Sequence, residues 1–123
     1  MCIRDRSKEV LEKKEVVFIT RIDKEKAAHL LEIFKEGRFI EEANCFIMGE
    51  NFNKFSTNKK VAIISGGSSD LAVTLEAKLS LEIYGVSCQT FIDVGVAGLH
   101  RLFSEIEEIN KYDVLIVLSL IHI

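Results

Sequence analysis

Two short stretches of this chain carry residue types that can hold an anion. The first, Ser65-Gly66-Gly67-Ser68-Ser69-Asp70, follows the apolar run Val61-Ala62-Ile63-Ile64 and leads into residues with helical spacing. Glycines at Gly66 and Gly67 let backbone come close to a ligand, and the free N–H groups of a helix start attract phosphate. Ser68 and Ser69 can donate to a phosphate or ribose, and Asp70 can accept from ribose hydroxyls. The second stretch, Asp93-Val94-Gly95-Val96-Ala97-Gly98-Leu99-His100-Arg101, follows Phe91-Ile92 and again runs through glycines into a helix. Arg101 can clamp a phosphate or carboxylate with two donors, and His100 can shuttle a proton.

Plainer roles fit the same residues. Ser68, Ser69 or Asp70 can simply cap the helix. Arg101 can pair with Glu105 one turn later while His100 faces solvent. The first loop lacks the lysine of a Walker A loop and the full GxGxxG spacing of a dinucleotide fold. On residue types alone, both sets of roles stay open.

The elements that must position these loops alternate regularly: a strand at 60–64, a helix at 69–84, a strand at 87–92, a helix at 97–110 and a strand at 113–117. Such alternation predicts parallel strands with helices on the sheet faces, and it puts both loops at one carboxyl edge, where open α/β sheets bind ligands. In the second helix Leu99, Leu102, Phe103, Ile106 and Ile109 form an apolar stripe, and Glu105, Glu107 and Glu108 face water. The expected class is α/β, a three-layer α/β/α parallel sheet of flavodoxin-like or Rossmann-like kind. The sheet is read as incomplete, because Val114-Leu115-Ile116-Val117 has the continuous apolar character of a central strand but no crossover after it. Its edge should therefore be open and prone to aggregation.

A small α/β segment precedes this unit. It comprises a charged helical lead at 7–15, a buried strand at 16–20, a helix capped by Asp23 and running to about Lys35, and a strand at Cys45-Phe46-Ile47-Met48. Leu30, Leu31 and Phe34 are its apolar stripe, and His29 is a helix-surface residue. The Asn-, Ser- and Thr-rich stretch 51–58 connects the units, giving domains at 7–58 and 59–117. Residues 1–6 and 118–123 read as the two strands of one adapter DNA translated at both ends. ATG TGT ATA AGA GAC encodes Met-Cys-Ile-Arg-Asp, and its reverse complement encodes Ser-Leu-Ile-His, the residues at 119–122.

A hydrophobic fraction of 48% with 28% charged residues fits a globular core rather than a disordered tail. The formal net charge of −3 supplies no basic patch for nucleic acid. The longest apolar run, 114–123, is too short to span a bilayer, so no membrane partner is expected and the cytosol is the expected compartment. Cys45 and Cys88 lack a CxxC pair or nearby His ligands, which leaves metal binding and a disulfide framework unsupported; each reads as a small buried apolar residue.

Taken together, Ser65-Gly66-Gly67-Ser68-Ser69-Asp70-Leu71-Ala72-Val73, the following Glu76-Ala77, and Asp93 through Leu102 closely resemble the LarB family of nickel-pincer cofactor biosynthesis proteins. The resemblance covers most of Val16 to Val117 and includes the start of a domain similar to PurE, the aminoimidazole ribonucleotide carboxylase. Ala72 departs from it, since the family commonly has proline there. By this resemblance the intact parent carboxylates the pyridinium ring of nicotinic acid adenine dinucleotide with carbon dioxide or bicarbonate. It also cleaves the phosphoanhydride, giving pyridinium-3,5-biscarboxylic acid mononucleotide and AMP.

The resemblance further implies that Gly66, Gly67, Ser68, Ser69 and Asp70 hold the ribose phosphate, joined by His100 and Arg101. Independently of the resemblance, Glu76 within the first helix can orient a site residue from behind, but it reads more simply as a surface glutamate. A nucleotide is the implied substrate and a homo-oligomer the implied assembly. No organic cofactor is evident, a divalent metal ion is left open, and no metal ligands are assigned. The family's reactive cysteine would lie beyond Val117, so the chain alone is expected to be inactive. The competing expectations are an aminoimidazole ribonucleotide carboxylase or mutase and a non-catalytic nucleotide-binding module.

Overall fold

The computed structural model describes residues 3–12, 16–49 and 57–118. Its first unit begins with helix α1 (Ile3–Glu12), strand β1 (Val17–Ile19) and helix α2 (Lys24–Ile33), and continues through β2 (Arg38–Ile40) to β3 (Cys45–Met48). Helix α1 starts four residues before the predicted lead at 7–15 and covers it as far as Glu12; residues 13–15 lie outside the described residues. Asp23 caps α2 as predicted, its carboxylate accepting from the Lys26 backbone N–H at 2.8 Å. Ala27 and Leu30 are the buried residues of α2, whereas Leu31 is exposed.

Strand β2 is absent from the sequence reading; three residues without clear alternation give little period to detect. With it the unit forms an antiparallel sheet in the order β1-β3-β2, in which Phe18 pairs with Ile47 and Phe39 with Phe46. Phe46 is fully buried in a cluster with Val17, Ile22, Ala27, Leu30 and Met48. Gly37 makes room for its ring, because a Cβ there would lie 2.3 Å from Phe46 Cζ.

The second unit follows the predicted alternation within two residues at most boundaries. Strand β4 (Lys60–Ser65) leads to α3 (Leu71–Ile83), β5 (Ser87–Phe91), α4 (Leu99–Ile109) and β6 (Val114–Leu118). The sheet is parallel in the order β5-β4-β6, with Ile64 opposite Phe91 on one side and Val117 on the other. Strand β4 is the centre, and Val61 through Ser65 are all buried. Helix α4 packs Ile109 and Leu102 over Ala62, Ile64, Phe91 and Val94.

The predicted stripe of α4 divides. Leu102 and Ile109 face the sheet, while Leu99 (46% exposed), Phe103 (65%) and Ile106 (40%) face outward. The five lie within one ordinary apolar arc of about 120°, but among the described residues only its Leu102–Ile109 flank meets a partner, the sheet. Strand β6 is likewise open, with Leu115 and Val117 about half exposed. At its start, Asp113 ties it to β4 by accepting from Lys59 Nζ and from the Lys60 N–H, both at 2.8 Å. Among the described residues no helix is long and apolar enough to cross a membrane.

Candidate functional site

Because β4 and β5 are parallel neighbours, the loops that leave them emerge at the same edge. Their contact is closer than side-by-side placement requires. The Val94 N–H donates to the Ser65 carbonyl at 3.1 Å, and a Cβ on Gly95 would lie only 2.3 Å from the carbonyl oxygen of Gly66. Gly95 has an ordinary φ of −74°, so its glycine is required by the approach of the other loop rather than by its own conformation. Gly66 in turn donates its N–H to Leu118 of β6 at 3.1 Å. The two glycine-bearing stretches thus form one backbone-packed ridge.

In the first loop, Ser68–Asp70 makes one 3-10 turn before α3. Neither the turn nor α3 receives a side-chain cap, so the capping role weighed for Ser68, Ser69 and Asp70 is not taken. Asp70 contributes its backbone instead: its N–H donates to the Gly67 carbonyl, and its own carbonyl accepts from the Thr74 hydroxyl at 2.8 Å. Ser68 and Ser69 are exposed and Asp70 half-buried, which leaves their side-chain oxygens open to solvent at the helix start. Beneath them, Ser65 is fully buried at the end of β4, and its hydroxyl finds no partner among the described residues.

The second loop differs from its predicted pairing. Arg101 does not pair with Glu105; its Nη1 donates to the Asp93 carboxylate, eight residues earlier. Asp93 has φ +63°, a left-handed conformation that turns the chain back, and aspartate tolerates it better than most residues. Helical spacing pointed to Glu105 because it presumes that the nearest acid lies on the helix itself. His100 occupies the first turn of α4 and is exposed.

Glu76 does not join the ridge. It borders a cleft of about 340 Å³ with Arg21, Asp23 and Asn44 of the first unit and with Ala72 and Val73 of α3. Two left-handed residues, Arg21 (φ +54°) and Asn44 (φ +50°), shape that side of the cleft, and sequence reasoning did not single them out. Cys45 lies beneath it, fully buried, with its thiol donating to the Ala43 carbonyl at 3.2 Å. Burial, and then the Glu76 carboxylate, push the Cys45 thiol above its ordinary range. Burial does the same at Cys88, which is only partly covered. Neither environment generates a thiolate nucleophile. His29 stands on the exposed face of α2, 3.6 Å from Glu32, as a surface residue. Among the described residues no three His, Cys, Asp or Glu side chains group to hold a metal ion.

Fold and ridge together define an α/β protein with a parallel sheet whose two glycine-bearing loops meet at the carboxyl edge. No family model matches the chain. A segment of 55 residues is 49% identical to an uncharacterized protein of Methanocaldococcus jannaschii. The match covers 45% of this chain and 22% of that protein, so the chain aligns with under a quarter of its relative's length.

Proposed function

We propose that the parent of this chain is a carboxylase of pyridinium nucleotides with a PurE-like three-layer α/β/α domain. Its substrate is nicotinic acid adenine dinucleotide. A carboxylate from carbon dioxide or bicarbonate takes the place of a pyridinium ring proton, which leaves as H+ or, with bicarbonate, as water, and hydrolysis of the phosphoanhydride releases AMP and the biscarboxylated mononucleotide. The observation that carries the reading is the Gly66–Gly95 approach, which joins a serine-and-aspartate loop to a loop bearing His100 and Arg101. The uncapped state of Ser68, Ser69 and Asp70 supports it, because their side chains are left for a ligand.

In this reading Gly66 and Gly67 admit the ribose phosphate to the backbone. Ser68 and Ser69 donate to it, Asp70 takes a ribose hydroxyl, and Arg101 adds a charged donor. His100, exposed in the first turn of α4 beside the ridge, is the side chain that passes a proton to or from the ligand. The remaining chemistry belongs to parts of the parent outside this chain. A homo-oligomeric cytosolic enzyme completes the proposal.

The test is an assay of the full-length parent with the dinucleotide and 13C-labelled bicarbonate, read by mass spectrometry. Incorporation of label into a pyridinium mononucleotide, together with AMP release, is expected. Turnover of aminoimidazole ribonucleotide in place of the dinucleotide would assign the purine reaction. Tight nucleotide binding with no turnover of either would make the parent a binding module.

A further inference from the structure

The ion pair between Asp93 and Arg101 has no part in the phosphate reading above, yet it is the most constrained side-chain arrangement on the ridge. Arg101 lies in the first turn of α4, where the helix dipole disfavours a cation. Asp93 offsets that charge from the other end of the same loop, and it does so from a left-handed backbone conformation. Gly98 forms the third part. A Cβ there would lie 2.7 Å from Arg101 Nε and 2.9 Å from Nη2, so the guanidinium rests against bare backbone. It is thus fixed by a carboxylate at Nη1 and by a glycine seat beneath Nε and Nη2.

Both side chains remain about half exposed, 47% for Arg101 and 49% for Asp93. A guanidinium has five N–H donors, and one bond to Asp93 leaves others for a ligand. Gly95, midway along this loop, is the residue packed on Gly66 of the phosphate loop. Holding Arg101 to the loop therefore also holds it in register with the Ser68–Asp70 turn.

We propose that Asp93 is a positioning residue: it holds the Arg101 guanidinium against Gly98 so that its free donors are already oriented toward the phosphate of a bound nucleotide. This rests on the phosphate reading of the ridge. An unheld arginine would have to be ordered at the moment of binding, and that cost weakens binding by about three- to tenfold.

The experiment compares the full-length parent, as the unaltered chain, with its Asp93→Asn and Arg101→Gln variants, using nicotinic acid mononucleotide as the probe in calorimetric titration. Asparagine tolerates the left-handed conformation, so Asp93→Asn removes charge without forcing the loop to refold. The expected results are weaker binding by Arg101→Gln, about three- to tenfold weaker binding by Asp93→Asn, and no further loss when Asp93→Asn is added to Arg101→Gln. The Arg101 Nε–H resonance, sharp in the unaltered chain, should broaden in Asp93→Asn, a readout that a general loss of stability would not mimic at an unchanged melting temperature. Equal or tighter binding by Asp93→Asn, with Arg101→Gln weakened, would overturn this inference alone and make Asp93 a competitor for the arginine. No binding by the unaltered chain, or undiminished binding by Arg101→Gln, would overturn the phosphate reading and this inference with it.

Discussion

The antiparallel sheet and the parallel sheet solve the same problem to different degrees. In the first, β3 sits between two partners and all four of its residues are buried, with Phe46 enclosed by side chains from α2 and its own sheet. In the second, β4 is as well buried, yet its partner β6 carries an equally apolar sequence into solvent. Apolar character alone therefore does not report burial. It reports what a residue is suited to touch, and Leu115, Val117, Leu99 and Phe103 are suited to a neighbour that the described residues do not supply.

That contrast is sharpest between two phenylalanines. Phe46→Ala should cost about 3–5 kcal/mol in the stability of the unit containing β3, since it opens a cavity in an enclosed cluster. Phe103→Ala on the outer flank of α4 should stay within about 0.5 kcal/mol. Chemical denaturation of both variants measures the difference, and equal losses would mean that Phe103 is already packed in this chain.

Gly95→Ala tests the joint between the loops and should cost about 1–3 kcal/mol. The new methyl group meets the Gly66 carbonyl oxygen, a backbone atom that cannot swing aside. Hydrogen exchange should show the loss concentrated at the Val94 and Gly66 amides. A variant as stable as the original, with both amides equally protected, would show that the loops can part freely.

The smallest effect is expected at the tie between β6 and β4. The hydrogen bond from Lys59, followed by that from the Lys60 N–H, holds the Asp113 carboxyl below its ordinary value of 3.8. A carboxyl depressed in the folded state stabilises it above the ordinary value, and the contribution fades as pH falls through the lowered value. Melting temperatures measured from neutral pH down to about 3 should therefore drop less steeply for Asp113→Asn than for the unaltered chain. Because the pair lies at the solvent-exposed surface, salt should shrink the difference. Parallel acid limbs for the two proteins would remove this tie from the account of β6.

Much of the fold was legible because it rests on period and punctuation. The run Cys45–Met48 and the alternation from Lys60 onward needed only apolar spacing and the glycines between them. Strand β2 escaped because three residues show no period, and its place depends on Gly37 admitting the Phe46 ring. The two loops were legible as glycine-bearing turns at one sheet edge, but their contact was not, since the need for glycine at 95 arises from Gly66 across the sheet. Arg101's partner was hidden for a similar reason. Helical spacing points forward to Glu105, and only the left-handed turn at Asp93 brings the carboxylate back from behind.

The strand order β5-β4-β6 also sets a timetable for the growing chain. Strand β4 is made before either of its partners, and the tie from Lys60 to Asp113 joins residues 53 positions apart. On a ribosome the antiparallel unit can close while β4, the central strand of the second sheet, still waits for β6 to be synthesised. Long-range parallel pairing is slow to form. The interval between the emergence of β4 and the arrival of β6 is therefore when this chain is most exposed to wrong partners, and when a chaperone would matter most to it.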